Sequence, residues 1–162
     1  MARFPYPAWE DKHFKAVGKP TINVLKLLSY SPATIEKWAD IGNAQFAQFA
    51  LIKKHREIGI LLSAAKFGSN YEWTHHIPLS AKFGVTDLQR EEILKAGRVK
   101  GYFTEEYWTR NKPGFDQKEK VLLTFLEAVI DIGEVDEGTW QKTTGTFSKR
   151  EIVELISMQV SF

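Results

Sequence analysis

Three segments of this chain announce a helix start in the same way. Thr86-x-x-Gln89, Asp116-x-x-Glu119 and Ser148-x-x-Glu151 each set a short acceptor side chain three residues before a Gln or Glu. That is the spacing of a capping box, in which each of the two side chains accepts from the other's otherwise unpaired backbone N–H. Each start precedes an amphipathic run. The longest, marked by Val121, Leu122, Phe125, Leu126, Val129 and Ile130, stops near Gly133, a residue suited to a left-handed C-cap. Ser31-Pro32 supplies another start, an N-cap followed by proline at the first helical position, and Ile35, Trp38, Ala39, Gly42, Phe46 and Phe49 then recur with helical period. Pro20 opens a shorter helix through Leu28. No sustained period-two alternation competes with these signals, so the predicted fold is all-α and single-domain.

The chain is long enough, at 162 residues, to bury a substantial core. Its 22 basic and 20 acidic residues nearly cancel, so no field for nucleic acid or a membrane surface is implied. Lys53-Lys54-His55-Arg56 is the one short basic cluster, and Glu57 follows at once; it reads as a solvated helix start or a salt-bridge patch. The absence of cysteine excludes disulfides, thiol nucleophiles, thiolate metal sites and dithiol redox chemistry. It fits a cytoplasmic location. No apolar run approaches the ~20 residues needed to span a bilayer, and the first residues lack the apolar region of a signal peptide.

Residues 1–19 are rich in proline and aromatics, with Phe4, Tyr6, Trp9 and Phe14. They read as an extended arm docked on its own subunit or a neighbour, ahead of a helical domain over residues 20–162. Lys100 to Phe115, with Tyr102, Phe103, Tyr107 and Trp108, reads as a long aromatic connection, either a binding loop or plain packing.

One polar series interrupts the apolar helical stretch in the middle of the chain: Glu57, Ser69, Glu72 and His76. The first helix here runs from about Leu51 to Lys66 and ends at Gly68; the second runs from about Asn70 to Phe83 and ends at Gly84. Residues three and four apart share a helix face, so Ser69, Glu72 and His76 align as a stripe. The short link makes the helices neighbours and brings Glu57 towards His76. Pro78 falls inside the second helix and is expected to kink it or to free the carbonyl of Thr74. A carboxylate beside an imidazole fixes its tautomer and raises its basicity, as proton transfer requires. Tyr71 and His75 form a second i,i+4 pair, about 100° round the helix. Two readings stay open: an acid–base site, or a surface ion pair worth a few tenths of a kcal/mol. His75, His76, Glu57 and Glu72 are all possible metal ligands, but HExxH-type spacing is absent, and no metal or cofactor is expected.

The residues Arg56-Glu57-Ile-Gly-Ile-Leu61, then Asn70-Tyr-Glu-Trp-Thr-His-His76-Ile-Pro-Leu-Ser-Ala-Lys-Phe-Gly84 and Val-Thr-Asp-Leu-Gln89, resemble the carboxymuconolactone decarboxylase family, related to the AhpD-like alkylhydroperoxidases. The resemblance is sharp from about Leu51 to Ile93 and looser back to Pro20 and forward to Leu155. The peroxidase branch is marked by Glu-x11-Cys-x2-Cys-x3-His. Counted from Glu57, its cysteine positions fall on Ser69 and Glu72 and its histidine on His76. The glutamate and histidine frame is kept and both sulfurs are gone, so dithiol peroxide reduction is excluded chemically.

The resemblance implies an AhpD-like helical domain assembled as a homotrimer or hexamer, with a small-molecule substrate; the balanced charge already argues for no nucleic-acid or membrane partner. It implies a cofactor-independent decarboxylase, a carboxy-lyase acting on a small cyclic, unsaturated or lactone acid. His76, Glu72, Glu57 and Ser69 are the expected catalytic residues, with Tyr71, Trp73, His75 and Trp108 expected to bind substrate. His76 would deliver a proton to carbon, Glu72 and Glu57 would set its protonation state, and Ser69 would stabilise an enolate oxygen. The alternatives are an isomerase, cyclase or dehydratase using the same Glu/His pocket, and a non-enzymatic binding or assembly protein.

Overall fold

The computed structural model describes residues 5–6, 23–110 and 114–159. Apart from Pro5 and Tyr6, the expected arm lies outside the described residues, as do Pro20 and residues 111–113. The described residues hold nine α-helices and no strand, so the fold is all-α. None of these helices is long and apolar enough to cross a membrane.

Two compact units divide the chain, Met1–Gln48 and Phe49–Phe162. In the first, α1 (Asn23–Leu28) packs on α2 (Ile35–Ala47). Ser31 does not cap α2 directly. Its carbonyl accepts from Thr34 N and Ile35 N at 3.0 and 3.1 Å, so Ser31–Thr34 forms a turn and the helix begins at Ile35, three residues past the predicted proline.

The second unit holds α3 (Lys53–Lys66), α4 (Asn70–Lys82), α5 (Asp87–Ala96), α6 (Glu105–Arg110), α7 (Gln117–Asp131), α8 (Glu137–Thr146) and α9 (Lys149–Gln159). Its centre is α3, which packs against α4, α5, α7 and α9. Every residue of α3 from His55 to Ala64 is buried. Ile58, Ile60, Leu61 and Leu62 of α3 join Ile93 of α5, Leu122, Phe125 and Leu126 of α7, and Leu155 and Met158 of α9 in one core. A helix buried on all sides needs close neighbours, and two glycines provide the room. A Cβ on Gly59 would collide with Met158 Cε, and one on Gly97 would lie 2.6 Å from the Ala65 carbonyl oxygen.

Polar anchors fix both ends of α3. Glu154 Oε2 accepts from Ala50 N and Leu51 N at 2.8 and 3.1 Å, just ahead of the helix. At the other end the buried Lys66 ammonium contacts Glu127 Oε1 at 2.6 Å and Asp131 Oδ2 at 2.7 Å.

All three capping boxes form. Thr86 with Gln89 and Asp116 with Glu119 bond reciprocally. Ser148 Oγ accepts from Glu151 N at 3.2 Å while Glu151 Oε2 accepts from Ser148 N at 2.8 Å. The stretch read as a long connection contains α6, started by Thr104, whose Oγ1 accepts from Tyr107 N at 3.1 Å. Helix α8, unmarked in the sequence reading, starts where Asp136 Oδ1 accepts from Thr139 N at 3.0 Å.

Candidate active site

Helix α3 ends at Lys66 and α4 begins at Asn70, a link short enough to hold the two side by side. The reversal uses Gly68 at φ 65°, with Ser69 N returning to the Ala64 carbonyl at 2.8 Å. Glycine reaches this left-handed conformation without the Cβ penalty of other residues. The result faces Glu57 of α3 with His76 of α4.

Glu57 is 0% and His76 5% exposed. Glu57 Oε2 lies 2.8 Å from His76 Nδ1. Its other oxygen, Oε1, accepts from Arg56 Nε at 3.2 Å and Nη2 at 3.0 Å. Each carboxylate oxygen thus has a cationic or imidazole partner, the condition for burying a charge without a large penalty. A carboxylate only accepts, so Nδ1 carries the hydrogen between the two residues. Nε2 is then the nitrogen able to take up or release a proton. On that side Glu72 Oε2 stands 3.7 Å away, too far for a hydrogen bond and near enough to exchange a proton through a water or a substrate oxygen.

Arg56, expected with its basic neighbours to form a solvated helix start or a salt-bridge patch beside Glu57, forms the salt bridge. Only Lys53 of that cluster is exposed; His55 and Arg56 are buried, and Lys54 pairs with Glu119 at 2.6 Å. The run is an ion-pair patch folded inwards, not a solvated helix start. The signal for Arg56 was its adjacency to Glu57.

Ser69 is the N-cap of α4, and its Oγ accepts from Glu72 N at 3.4 Å. Its hydroxyl hydrogen alone remains for a substrate oxygen. Tyr71 and His75 pair as their spacing predicts, ring centroids 4.2 Å apart, with His75 Nδ1 2.8 Å from the Tyr71 carbonyl oxygen. The Tyr71 hydroxyl is buried and has no hydrogen-bond partner among the described residues. Trp73 packs against the core and shares with Ser69 and Asn70 a recess of about 400 Å³ that neither Glu57 nor His76 lines.

Trp108 belongs to a different neighbourhood. Its ring stacks on Phe103 at 5.1 Å and 7°, and its Nε1 donates to Thr124 Oγ1 at 3.1 Å. It lines a cavity of about 480 Å³ with Phe103, Thr124, Asp131 and Thr139, again without Glu57 or His76. The aromatic surplus of this segment packs on itself, so Trp108 is not brought to the Glu57–His76 pair.

Two further polar clusters were not anticipated. The buried Glu92 carboxylate accepts from Tyr102 Oη at 2.9 Å and Tyr107 Oη at 2.6 Å and meets Lys95 Nζ at 2.5 Å, tying the segment around α6 to α5. Burial and the Glu92 charge push both phenols above their usual range, Tyr107 furthest. Burial acts to raise Glu92, but the bonds from Lys95, Tyr107 and Tyr102 outweigh it and hold the carboxyl below its usual value. The second cluster, His55, Asp116 and Glu119, is the set among the described residues with the donors to hold a metal ion; the histidines and glutamates of α4 do not form one. In comparisons with known proteins, no family model matches the chain and no curated protein matches it.

Proposed function

We propose that Glu57 and His76 form an acid–base pair and that the chain is a cofactor-independent enzyme moving protons on a small cyclic, unsaturated or lactone acid. The observation that carries this reading is the 2.8 Å contact between a wholly buried carboxylate and a buried imidazole, backed by Arg56. The resemblance of residues 51–93 to the carboxymuconolactone decarboxylase family supports it, and makes loss of carbon dioxide the first reaction to assay.

In that reaction the substrate's carboxylate carbon leaves as CO2, and the electron pair of the broken C–C bond moves into the conjugated carbonyl, giving an enolate. His76, protonated on both nitrogens, transfers the Nε2 proton to carbon as the enolate collapses. Glu57 steadies the imidazolium charge, and Glu72 returns a proton from water to Nε2. This role needs an imidazole held in one tautomer, which the Glu57 contact at Nδ1 provides. Ser69 acts by capping the turn that carries Glu72, with its hydroxyl hydrogen available to an enolate oxygen. A homotrimer or hexamer is part of the same proposal.

The test is CO2 release from a panel of such acids by wild type, His76→Ala and Glu57→Gln. A loss of about 10²- to 10⁴-fold is the size expected for a positioned acid–base group; a near wild-type rate in His76→Ala rules the assignment out. A second reading, isomerisation without decarboxylation, draws on Glu72, which gives His76 a second carboxylate on its Nε2 side. Shifted double bonds or solvent deuterium in the product, without CO2, would favour it.

A further inference from the structure

Helix α3 carries a second histidine facing away from the proposed acid–base pair. His55 lies two positions before Glu57, roughly 200° round the helix, and is directed to the start of α7 rather than to α4. It is 3% exposed, and its Nδ1 is buried without a hydrogen-bond partner among the described residues. Buried ring nitrogens are nearly always paired, so such an atom asks for a ligand. Glu119, 1% exposed, stands beside it, with its Oε1 ion-paired to Lys54 Nζ at 2.6 Å. One donor atom each from His55, Asp116 and Glu119 lie within 4.8 Å of one another.

We propose that His55, Asp116 and Glu119 form a binding site for a divalent first-row transition-metal ion of the zinc class. One imidazole with two carboxylates is a donor set for such an ion, and the two carboxylate charges match its own. Three donors no more than 4.8 Å apart share a centre within about 2.8 Å of each, the side divided by √3. A contraction of under one ångström brings them to the ~2.0–2.2 Å of Zn–N and Zn–O bonds.

The scaffold holding these groups is already built. Asp116 Oδ1 accepts from Glu119 N at 2.8 Å, and Glu119 Oε2 accepts from Asp116 N and Gln89 Nε2, each at 3.0 Å. These bonds orient both carboxylates while leaving Glu119 Oε1 and the outer Asp116 oxygen for an ion, as supporting contacts do around metal sites. Asp116 is exposed, which leaves coordination positions open to water. Lys54 is the group an incoming ion displaces, its ammonium now lying against the carboxylate that the ion would take.

Calorimetric titration of the chelator-treated chain with Zn²⁺, and with Co²⁺ followed by its visible absorption, tests the site. One ion per chain is expected, weakened at least tenfold by His55→Gln and tightened at least tenfold by Lys54→Met. Lys54 is partly exposed, so Lys54→Met keeps the test decisive if His55→Gln does not fold. Absence of a stoichiometric ion in wild type overturns the proposal. So does affinity that is unchanged in His55→Gln, or that fails to rise in Lys54→Met.

Discussion

Glu57→Gln is the substitution whose consequence follows most closely from the geometry. Glutamine keeps the shape of glutamate but has one acceptor oxygen where glutamate has two. In the native site one oxygen faces His76 Nδ1 at 2.8 Å and the other faces Arg56 at 3.0–3.2 Å. Both partners donate. Whichever way the amide is turned, its NH2 group points at a donor, and if the oxygen faces His76 the guanidinium of Arg56 lies buried without its carboxylate. Side chains here are 6% exposed or less, so water screens little of the loss. Breaking one partner of a buried pair costs about 3–5 kcal/mol. For a chain of this length that corresponds to a fall in Tm of roughly 6–20 °C. Urea unfolding followed by circular dichroism measures it. A loss below about 1 kcal/mol, the range of exposed ion pairs, would show that the carboxylate is not the joint between the two helices and would refute the reasoning.

Other perturbations test neighbouring parts of the structure. Gly97→Ala puts a methyl 2.6 Å from the Ala65 carbonyl oxygen; backbone cannot swing aside as a side chain can, and a loss of about 1–3 kcal/mol is expected in urea unfolding. Ser69→Ala removes the α4 N-cap and should lower stability by about 0.5–2 kcal/mol, while CO2 release from an identified substrate falls far less than in His76→Ala. The phenols of Tyr102 and Tyr107 are raised above the usual 10.0 in the folded chain. Their stabilisation is therefore complete below pH 10 and lost as pH rises through their folded values. Absorbance at 295 nm should show them titrating after the other tyrosines, and Glu92→Gln should bring both back towards 10. Glu92, held low, has the opposite sign: its contribution is present above its usual 4.5 and is lost as pH falls through the folded value.

What the sequence made legible was local. A capping box is written in four consecutive residues, and all three formed where Thr86, Asp116 and Ser148 placed them. The Glu57–His76 contact was legible because it depends only on two helices and a three-residue link that turns at Gly68. Burial is not local, and composition alone does not reveal it. Lys53-Lys54-His55-Arg56 has the composition of a solvated helix start; only tertiary packing around α3 takes His55 and Arg56 inside. Trp108 looked available to a substrate because aromatic residues serve cores and pockets equally, and its stack on Phe103 is a tertiary choice. Helix α8 was hidden by its own composition, four threonines and two glycines in ten residues, which weakens intrinsic helix preference. Its one readable mark was Asp136 before Thr139. Tyr102, Tyr107 and Glu92 are joined by tertiary bonds that no spacing rule predicts.

The most direct measurement of the acid–base proposal is turnover in D2O of a panel of small cyclic and unsaturated acids, with products read by NMR and mass spectrometry. Wild type should place solvent deuterium on the carbon that reacts. His76→Ala and Glu57→Gln, assayed below their own unfolding temperatures, should lose at least a hundredfold of that rate. Equal turnover by all three proteins would contradict the account.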